Sequence, residues 1–500
     1  MFLVKKAIVK KDETRFLSMC AKITTSKRIL NAKDDDLLIV TATYRILHIS
    51  VHTLLHSQHQ RSCSRGKQLV SYIMDAIPTS SKFRIQHSRA LKFLKRSDFL
   101  EITDVHHHQK EALLAIKKQF DDIDQPNIAL VVLPTGCGKT GVAVLAPFVL
   151  DSHRVLVLTP SRAISEQIFK AFGGRQDSQD MFLVRRRFIR AEQANDVRPS
   201  CTLITSTDQI KNSLHNELLI ITAHQVSGQS QVKIQDISPE NYDLVIVDEA
   251  HHYPAHTWMT IVNHFCKSKR LFLTATPHHR STGYILQDIE PHLVGLSFNQ
   301  IIPKIEICYN LSLEKAEDDG IIRRKKFEEI GTKGDDLSTA MQMVSNTIIQ
   351  FLQEHDTKDP EIQHQAMVLT QTRKEGLINP AEDFCKQYNG VAPPGYHCEM
   401  YVAKSKPDVL DRFTNGDTRT LVVVERLREG YDNNRVSVVA IVRNVQPNSI
   451  VLFSQFVGRA IRKAHPNDSV TAAIIAHKLH KQKKNYDQFD QVVDKDVIVD

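Results

Sequence analysis

The chain has 500 residues, of which 41% are hydrophobic and 24% charged, proportions that are ordinary for a soluble globular protein. This length allows about three domains, and no apolar run approaches the roughly 20 residues that span a bilayer. The opening MFLVKKAIVKK is charged too early for the apolar core of a signal peptide. The eight cysteines form no C-x-x-C pair, which argues against a cysteine zinc site or a disulfide framework. We therefore expect an intracellular, reducing compartment, either cytoplasm or nucleus.

Positive charge is concentrated at the N-terminus. Residues 1–100 contain 19 Lys and Arg against 7 Asp and Glu, a net charge of +12, whereas the whole chain carries +8. A basic segment attached to a nearly neutral body predicts a polyanionic partner. A solvated, partly disordered arm would have the same composition, and the fold of residues 1–103 is not readable from the sequence.

From about Asp104 onward, short apolar runs rich in β-branched residues alternate with longer amphipathic segments. Leu113, Ile116 and Phe120 recur at the spacing of one helix face. Continuous apolar strands separated by helices predict parallel sheets covered on both faces, an α/β fold. The predicted strands are IALVVL, RVLVLT, TLITS, ELLIIT, LVIVD and RLFLTAT in a first domain, and AMVLT, CEMYV, TLVVV, VSVVAIV and TAAIIA in a second.

The predicted limits follow from where these runs begin and end. The first α/β domain is placed at 104–300 and the second at 363–480. The intervening 301–362 is polar and rich in charge clusters, which favours a connector with helices. Residues 481–500 are polar and are predicted to form a frayed tail.

The stretch VVLPTGCGKTGVAV joins a predicted strand to a predicted helix through a glycine-rich turn. This layout is typical of a phosphate-binding P-loop, in which backbone N–H groups at a helix N-terminus point at phosphate oxygens. A lysine would reach the β- and γ-phosphates, and a hydroxyl would ligate Mg²⁺. The strict pattern begins with glycine, but Leu133 stands at that position here. The predicted loop residues are Pro134, Thr135, Gly136, Cys137, Gly138, Lys139 and Thr140.

The segment LVIVDEAHHY ends an apolar strand in two carboxylates, Asp248 and Glu249. In such sheets a carboxylate at the carboxyl end of a strand lies near the ligand position. Asp248 is predicted to hold Mg²⁺, and Glu249 to orient and deprotonate an attacking water. The segment alone would more often be a helix cap, but the upstream loop favours the catalytic interpretation.

The segment SQFVGRAIR places Arg459 and Arg462 three residues apart on a predicted helix, so both would project from one face. An arginine that reaches the γ-phosphate stabilises the charge of the transition state. Because these arginines lie in the second α/β domain, we expect a nucleotide clamped between two domains. Without the phosphate loop, the expectation would be a helix with solvated arginines.

Together these segments resemble the motifs of superfamily two helicases and translocases with a DEAH-type motif, and the branch of the restriction subunits (type III restriction enzyme) and repair helicases is the most similar. The resemblance covers about residues 104–476. It implies two tandem RecA-like domains. The remaining matches in family order are Gln109 ahead of the first strand, TPSRAISEQ, a loose ITAHQ, TATP, VLTQTR, REGYD with Gly430 and Asp432, and QFVGRAIR with Gln455.

The resemblance implies an ATP hydrolase that uses Mg²⁺ and moves along nucleic acid. It implies that Gln109 reads adenine, that Gly430, Asp432 and Gln455 belong to the nucleotide site, and that Thr159, Pro160 and Arg162 face the nucleic-acid backbone. The restriction and repair branch favours double-stranded DNA over RNA. The alternative is a nucleic-acid-binding switch or sensor, possibly for RNA, that uses ATP for conformational control. Oligomeric state, protein partners and pathway are not readable from the sequence.

Overall fold

The structure is a computed structural model of the whole chain, which divides into two units, residues 1–81 and 82–500. It describes residues 105–206, 209–210, 216–226, 230, 233–253, 255–276, 307–371, 379–402, 405–424, 431, 433–445 and 450–494, together with four short strands before residue 47. In the N-terminal unit, β1 (Phe2–Val4) pairs antiparallel with β2 (Leu37–Ile39), and β3 (Thr41–Ala42) pairs with β4 (Arg45–Ile46). Residues 1–103, the basic segment predicted to bind a polyanionic partner, lie almost entirely outside the described residues.

The second unit contains two parallel sheets. The first has seven strands in the order β11-β5-β10-β9-β6-β8-β7, and every pairing is parallel. Its strands are β5 (Ile128–Val132), β6 (Val155–Thr159), β7 (Cys201–Leu203), β8 (Leu218–Thr222), β9 (Leu244–Asp248), β10 (Lys269–Thr274) and β11 (Ile307–Asn310). The helices of this region are α1 (His107–Asp121), α2 (Lys139–Val149), α3 (Arg162–Ala171), α4 (Phe182–Arg185), α5 (Ala194–Val197) and α6 (His256–His264).

The second sheet has six parallel strands in the order β12-β17-β16-β13-β15-β14. Its strands are β12 (Lys325–Ile330), β13 (Gln365–Thr370), β14 (Cys398–Tyr401), β15 (Thr420–Val423), β16 (Val436–Val442) and β17 (Ala472–His477). The accompanying helices are α7 (Leu313–Asp318), α8 (Leu337–Lys358), α9 (Pro380–Val391), α10 (Pro407–Asn415), α11 (Ile450–Val457) and α12 (Lys483–Asp494).

The predicted α/β class with two tandem parallel-sheet domains is confirmed. Each predicted apolar run forms a strand within one to three residues of its expected limits, and the central strands β5, β6 and β9 are buried at every position. Strands buried on both faces need apolar side chains throughout, which is why these runs were readable. Within the part of the chain that the structure describes, no helix has the length and apolar character needed to cross a membrane.

The range 301–362, predicted to be a connector, contributes a strand to each sheet. β11 lies at the edge of the first sheet and β12 at the edge of the second, and α8 packs against β16 and β17. Both edge strands are half-buried rather than buried. An edge strand exposes one side to solvent, so it shows no continuous apolar run in the sequence.

The prediction of a frayed tail is wrong for the first part of residues 481–500, because α12 covers 483–494. Phe489 is only 3% exposed, and its ring lies 6.0 Å from the ring of Phe453 in α11. Tyr486 stacks on Phe327 of β12 at 4.6 Å. Sequence reasoning missed this helix because its sequence is polar except for a few apolar residues spaced about one helical turn apart.

We predict that Phe489→Ala lowers the free energy of unfolding by about 3–5 kcal/mol, the usual cost of removing a buried phenylalanine. Urea unfolding followed by circular dichroism measures this change. Asp487→Ala, which removes an exposed carboxylate from the same helix, is the control and should change the free energy by no more than about 0.5 kcal/mol. Equal effects of the two substitutions would contradict the packing of α12.

Candidate functional site

Two of the predicted nucleotide motifs, the phosphate loop and the Asp248-Glu249 pair, meet the TATP segment at the carboxyl ends of neighbouring strands. β10 lies between β5 and β9, and its Leu273 aligns with Val131 on one side and Asp248 on the other. Main-chain pairing therefore brings the loop after β5, the carboxylates after β9 and Thr274 to one sheet edge. In open parallel sheets this edge is where ligands bind.

The loop between β5 and α2 has the backbone of an anion-binding turn. Gly136 has φ +96° and Gly138 φ +77°, left-handed values that other residues rarely adopt. A Cβ on Gly138 would lie 2.3 Å from Nε2 of Gln109, so only glycine fits there. The first turn of α2 contains no acidic residue and begins with Lys139, as binding of an anion at a helix N-terminus requires.

The loop rests on two side chains of α1. His108 is 2% exposed, and its Nε2 lies 2.7 Å from the carbonyl oxygen of Cys137. Gln109 is 3% exposed; its Nε2 donates to the Gly138 carbonyl at 2.8 Å, and its Oε1 accepts from the backbone N–H of His106 at 3.0 Å. Both ends of the Gln109 amide thus bind the protein itself, and its role in adenine recognition stays a prediction. Sequence reasoning assigned His108 no role at the phosphate loop, although it precedes Gln109 on the same helix.

The Cys137 thiol is fully buried, and burial raises its pKa to about 12 despite the nearby positive charges of Lys139 and Arg462. The thiol is therefore protonated and chemically inert. Its backbone N–H donates to the Pro134 carbonyl at 3.1 Å. Any contribution of Cys137 to ligand binding comes from the backbone.

Glu249, the residue after β9, faces Lys139 of the loop. Lys139 Nζ lies 4.0 Å from Oε1 of Glu249. Glu249 has φ +51°, an uncommon conformation for a residue with a side chain, and its N–H donates to the Asp248 carboxylate at 3.0 Å. Asp248 is 8% exposed. Thr140, the predicted partner of Asp248 at the Mg²⁺ site, occupies the second position of α2.

His251 connects this pair to the end of β10. The imidazole is fully buried, with Nδ1 3.5 Å from Oε2 of Glu249 and 3.3 Å from the Thr274 hydroxyl. The Thr274 hydroxyl donates to the Thr276 carbonyl at 2.8 Å, and the Thr274 carbonyl accepts from the N–H of Leu133 at 3.0 Å. The DEAH and TATP segments are therefore physically joined to the phosphate loop. Pro277 lies outside the described residues.

The second domain reaches the loop through the segment after α11. A Cβ on Gly458 would lie 2.6 Å from Cβ of Thr135, and a Cβ on Gly136 would lie 2.9 Å from Cγ of Arg462. The stem of Arg462 thus lies against Gly136, and no side chain fits between them. Gln455 belongs to α11 itself and is partly buried.

The prediction that Arg459 and Arg462 share one helix face is wrong. α11 ends at Val457, residues 458–461 form turns, and Arg462 makes an isolated antiparallel bridge with Ile322. The three-residue spacing loses its helical meaning beyond that end. Arg459 is 5% exposed, and its guanidinium donates to the Tyr431 carbonyl and lies 5.9 Å from the centre of the Tyr431 ring. Gly430 and Asp432, on either side of that tyrosine, lie outside the described residues.

The residues of TPSRAISEQ that were predicted to face the nucleic-acid backbone differ in their exposure. Thr159 is fully buried, and its hydroxyl lies 2.5 Å from that of Ser165, so it cannot face nucleic acid as expected. Arg162 is exposed and pairs with Glu166 at 3.0 Å. Pro160 is partly buried. A threonine at the last position of a central strand points into the protein, whereas the first turn of the next helix faces solvent.

A buried residue that sequence reasoning missed holds residues 458–462, the arginine segment, in place. Arg323, between α7 and β12, is 1% exposed. Its guanidinium donates to the Asp468 carboxylate at 2.7 and 2.8 Å, and to the carbonyls of Val436, Ala460 and Asn434 at 2.5, 2.9 and 3.0 Å. Burial raises the pKa of Asp468, but the bonds from Arg323 outweigh it and hold that pKa below its usual value. No pattern in the basic run IIRRKK separates this arginine from its neighbours.

The comparisons with known proteins agree with this geometry. Two parallel sheets, with the phosphate loop of one domain facing Arg462 of the other, agree with the predicted tandem RecA-like architecture. Residues 102–279 match the family described as the res subunit of type III restriction enzymes. The chain is similar, at 21% identity over 393 residues, to the endonuclease subunit of the type I restriction enzyme EcoAI from Escherichia coli; the match covers 70% of this chain and 43% of the relative. The chain thus spans less than half of that relative.

A solved fragment assigned as an HsdR subunit of a type I restriction enzyme from Vibrio vulnificus YJ016 shares the fold, with a TM-score of 0.52 and 17% identity. That alignment covers 77% of this chain and 67% of the fragment. The resemblance predicted from the motifs is confirmed for residues 102–279, which match the res-subunit family, and the fragment shares the fold of this chain.

We predict that Arg323→Met lowers the free energy of unfolding by about 3–5 kcal/mol, because it leaves Asp468 buried without its cation. In the double variant Arg323→Met/Asp468→Leu the loss should be smaller, since no uncompensated charge remains. Urea unfolding measures both. Arg324→Met, the exposed neighbour, is the matched control and should be nearly neutral. A loss as large at Arg324 as at Arg323 would disprove the structural role.

Proposed function

We propose that this protein is an ATP-dependent nucleic-acid translocase or helicase that acts on double-stranded DNA and couples ATP hydrolysis between its two domains to movement along the phosphate backbone. The observation that carries the proposal is the meeting of three groups at one cleft. Lys139 and Glu249 come from the first domain, and Arg462 of the second domain lies against Gly136 of the phosphate loop.

The residues present fit ATP with Mg²⁺. The left-handed Gly138, the helix N-terminus and Lys139 form a cradle for phosphate oxygens, and the Thr140 hydroxyl and Asp248 carboxylate are oxygen donors of the kind Mg²⁺ prefers. When bound, Mg²⁺ would neutralise charge on the phosphates. Gln109, Pro134, Thr135, Gly136, Cys137, Gly430, Asp432 and Gln455 complete the proposed nucleotide site.

Each catalytic group has a distinct task in this proposal. Lys139, which faces Glu249 at 4.0 Å, turns to the β- and γ-phosphates and releases that carboxylate. Glu249 then orients the attacking water and accepts its proton. Arg462 stabilises the charge that develops on the γ-phosphate. Arg459 acts within the second domain by fixing the segment around Tyr431, and contact with phosphate would require it to leave that carbonyl.

The preference for double-stranded DNA is supported by the similarity to subunits of restriction enzymes. Translocases that grip phosphates are insensitive to base sequence, and their affinity falls steeply with salt. A switch or sensor protein that binds ATP without rapid turnover would share the fold. The presence of Lys139, Thr140, Asp248, Glu249 and Arg462 favours the enzyme.

We expect ATP hydrolysis to be stimulated most by duplex DNA when duplex DNA, duplex RNA and single strands are compared at equal phosphate concentration. Phosphate release measures the rate. Lys139→Ala should weaken ATP binding, whereas Glu249→Gln should bind ATP normally and lose turnover, because only the base is removed. Strong stimulation by RNA alone would assign an RNA substrate. Unaltered turnover in Glu249→Gln would remove that residue from the catalytic role.

The two arginines should differ in their effects. Arg462→Ala is expected to lower kcat by about 10³-fold or more, the range seen for loss of an arginine finger, with ATP affinity changed little. Arg459→Ala should also lower turnover, and Arg459→Lys should recover part of it if the residue acts by positioning Tyr431. Arg324→Ala, exposed in the same region, is the control. A normal kcat in Arg462→Ala would refute the two-domain clamp.

A further inference from the structure

A cluster of metal-ligating side chains lies in the second domain. Asp359 directly follows α8, Glu361 lies two residues further, and His465 lies three residues beyond Arg462. One ligand atom from each lies within 4.8 Å of the others. His465 Nε2 is 2.8 Å from Oδ2 of Asp359. These contacts alone would describe an ordinary ion pair with a neighbouring glutamate.

A fourth side chain makes the cluster unusual. His364 is fully buried, and neither of its ring nitrogens has a hydrogen-bond partner. Its Nε2 faces the same carboxylate, 3.7 Å from Oδ2 of Asp359. A buried polar group left without a partner costs about 1–3 kcal/mol. The buried Nε2 of His364 therefore lacks a polar partner at the point where it faces Asp359, beside the cluster.

We propose that Asp359, Glu361 and His465 hold a divalent transition-metal ion of the zinc class, with the buried imidazole of His364 beside Asp359. Imidazole nitrogen and carboxylate oxygen are the ligands such ions share, and three of them leave the fourth position of a tetrahedral zinc ion for water or for His364. His465 Nε2 lies 2.8 Å from Oδ2 of Asp359 and all three ligand atoms lie within 4.8 Å of one another, so small side-chain shifts reach the ligand-to-ligand spacing of about 3.3 Å that zinc bonds of about 2.0–2.1 Å imply.

The charges around the cluster suit a dication. Asp468 pairs with Arg323 at 2.7 Å, and Asp356 pairs with Arg419 at 2.5 Å. Asp468 and Asp356 are thus the direct partners of the two arginines, and Asp359 and Glu361 supply two further negative charges at the cluster. Asp359 and His364 are buried and fixed, whereas Glu361 is exposed and His465 is partly exposed, so an ion can enter from solvent.

The site would anchor the arginine segment. His465 and Asp468 lie in the stretch that leads from Arg462 to β17, and Asp468 accepts from the backbone N–H groups of Ala464 and Val470 at 2.8 and 3.1 Å. A metal bound by His465 adds a second tie between this stretch and the end of α8. The inference of a metal site does not depend on the proposed function.

The test is zinc binding by the full chain after removal of metals with a chelator. Zinc is titrated against a chromogenic competitor in excess Mg²⁺ and without ATP, so that the Mg²⁺ site does not contribute. We expect one zinc ion per chain whose affinity falls more than about 100-fold in His465→Gln and in Asp359→Asn, above the cost of losing a supporting outer-sphere contact. Exposed His397→Gln is the matched control and should bind zinc like the natural sequence.

Two further measurements keep the result interpretable. Zinc should raise the melting temperature of the natural chain but not of His465→Gln, whose side chain is 22% exposed and can be replaced without opening the core. Cobalt bound in place of zinc should give the visible absorption of a four-coordinate ion. Absence of stoichiometric zinc, or zinc that is retained in His465→Gln and Asp359→Asn but lost in Asp248→Asn, would overturn the proposal.

Discussion

The arrangement of the candidate site depends on the main-chain pairing of β5, β10 and β9. Because parallel strands in register end at one edge, the row formed by Val131, Leu273 and Asp248 fixes where the phosphate loop and the carboxylates meet. The side chains that follow these strands therefore lie close to one another. Lys139 and Glu249 approach to 4.0 Å without any long-range deformation of the loop.

In the second domain, a buried side chain rather than strand pairing holds the segment that reaches the cleft. This domain's contribution to the cleft comes from the turns after α11, which have no helix or sheet of their own to hold them. Arg323 replaces that missing support, since one guanidinium bonds to a carboxylate and to carbonyls on separate segments. A planar group with five donors suits this task, whereas lysine could not span the same partners. Buried Arg323 and Asp468 thus fix the position of Arg462, which faces the first domain.

The two arginines also show how sequence spacing and structure diverge. Three-residue spacing has a meaning only where the helix continues, and α11 ends at Val457. Arg462 then extends towards Gly136, while Arg459 turns back to the Tyr431 carbonyl. In the same way Thr159, part of a motif expected at the surface, is fully buried because it completes a central strand. Local hydrogen bonding decided both outcomes.

The sequence by itself determined the fold class, the buried strands and the loop from Pro134 to Thr140, because strands covered on both faces demand apolar runs and left-handed turns demand glycine. It could not reveal the edge strands β11 and β12 or the helix α12, whose half-polar surfaces resemble loops. Only the tertiary structure decided that His108 supports the phosphate loop, that Arg323 anchors the arginine segment, and that His364 meets Asp359 beside His465. These contacts join residues from separate elements, and their energy comes from burial and charge pairing that no local pattern records.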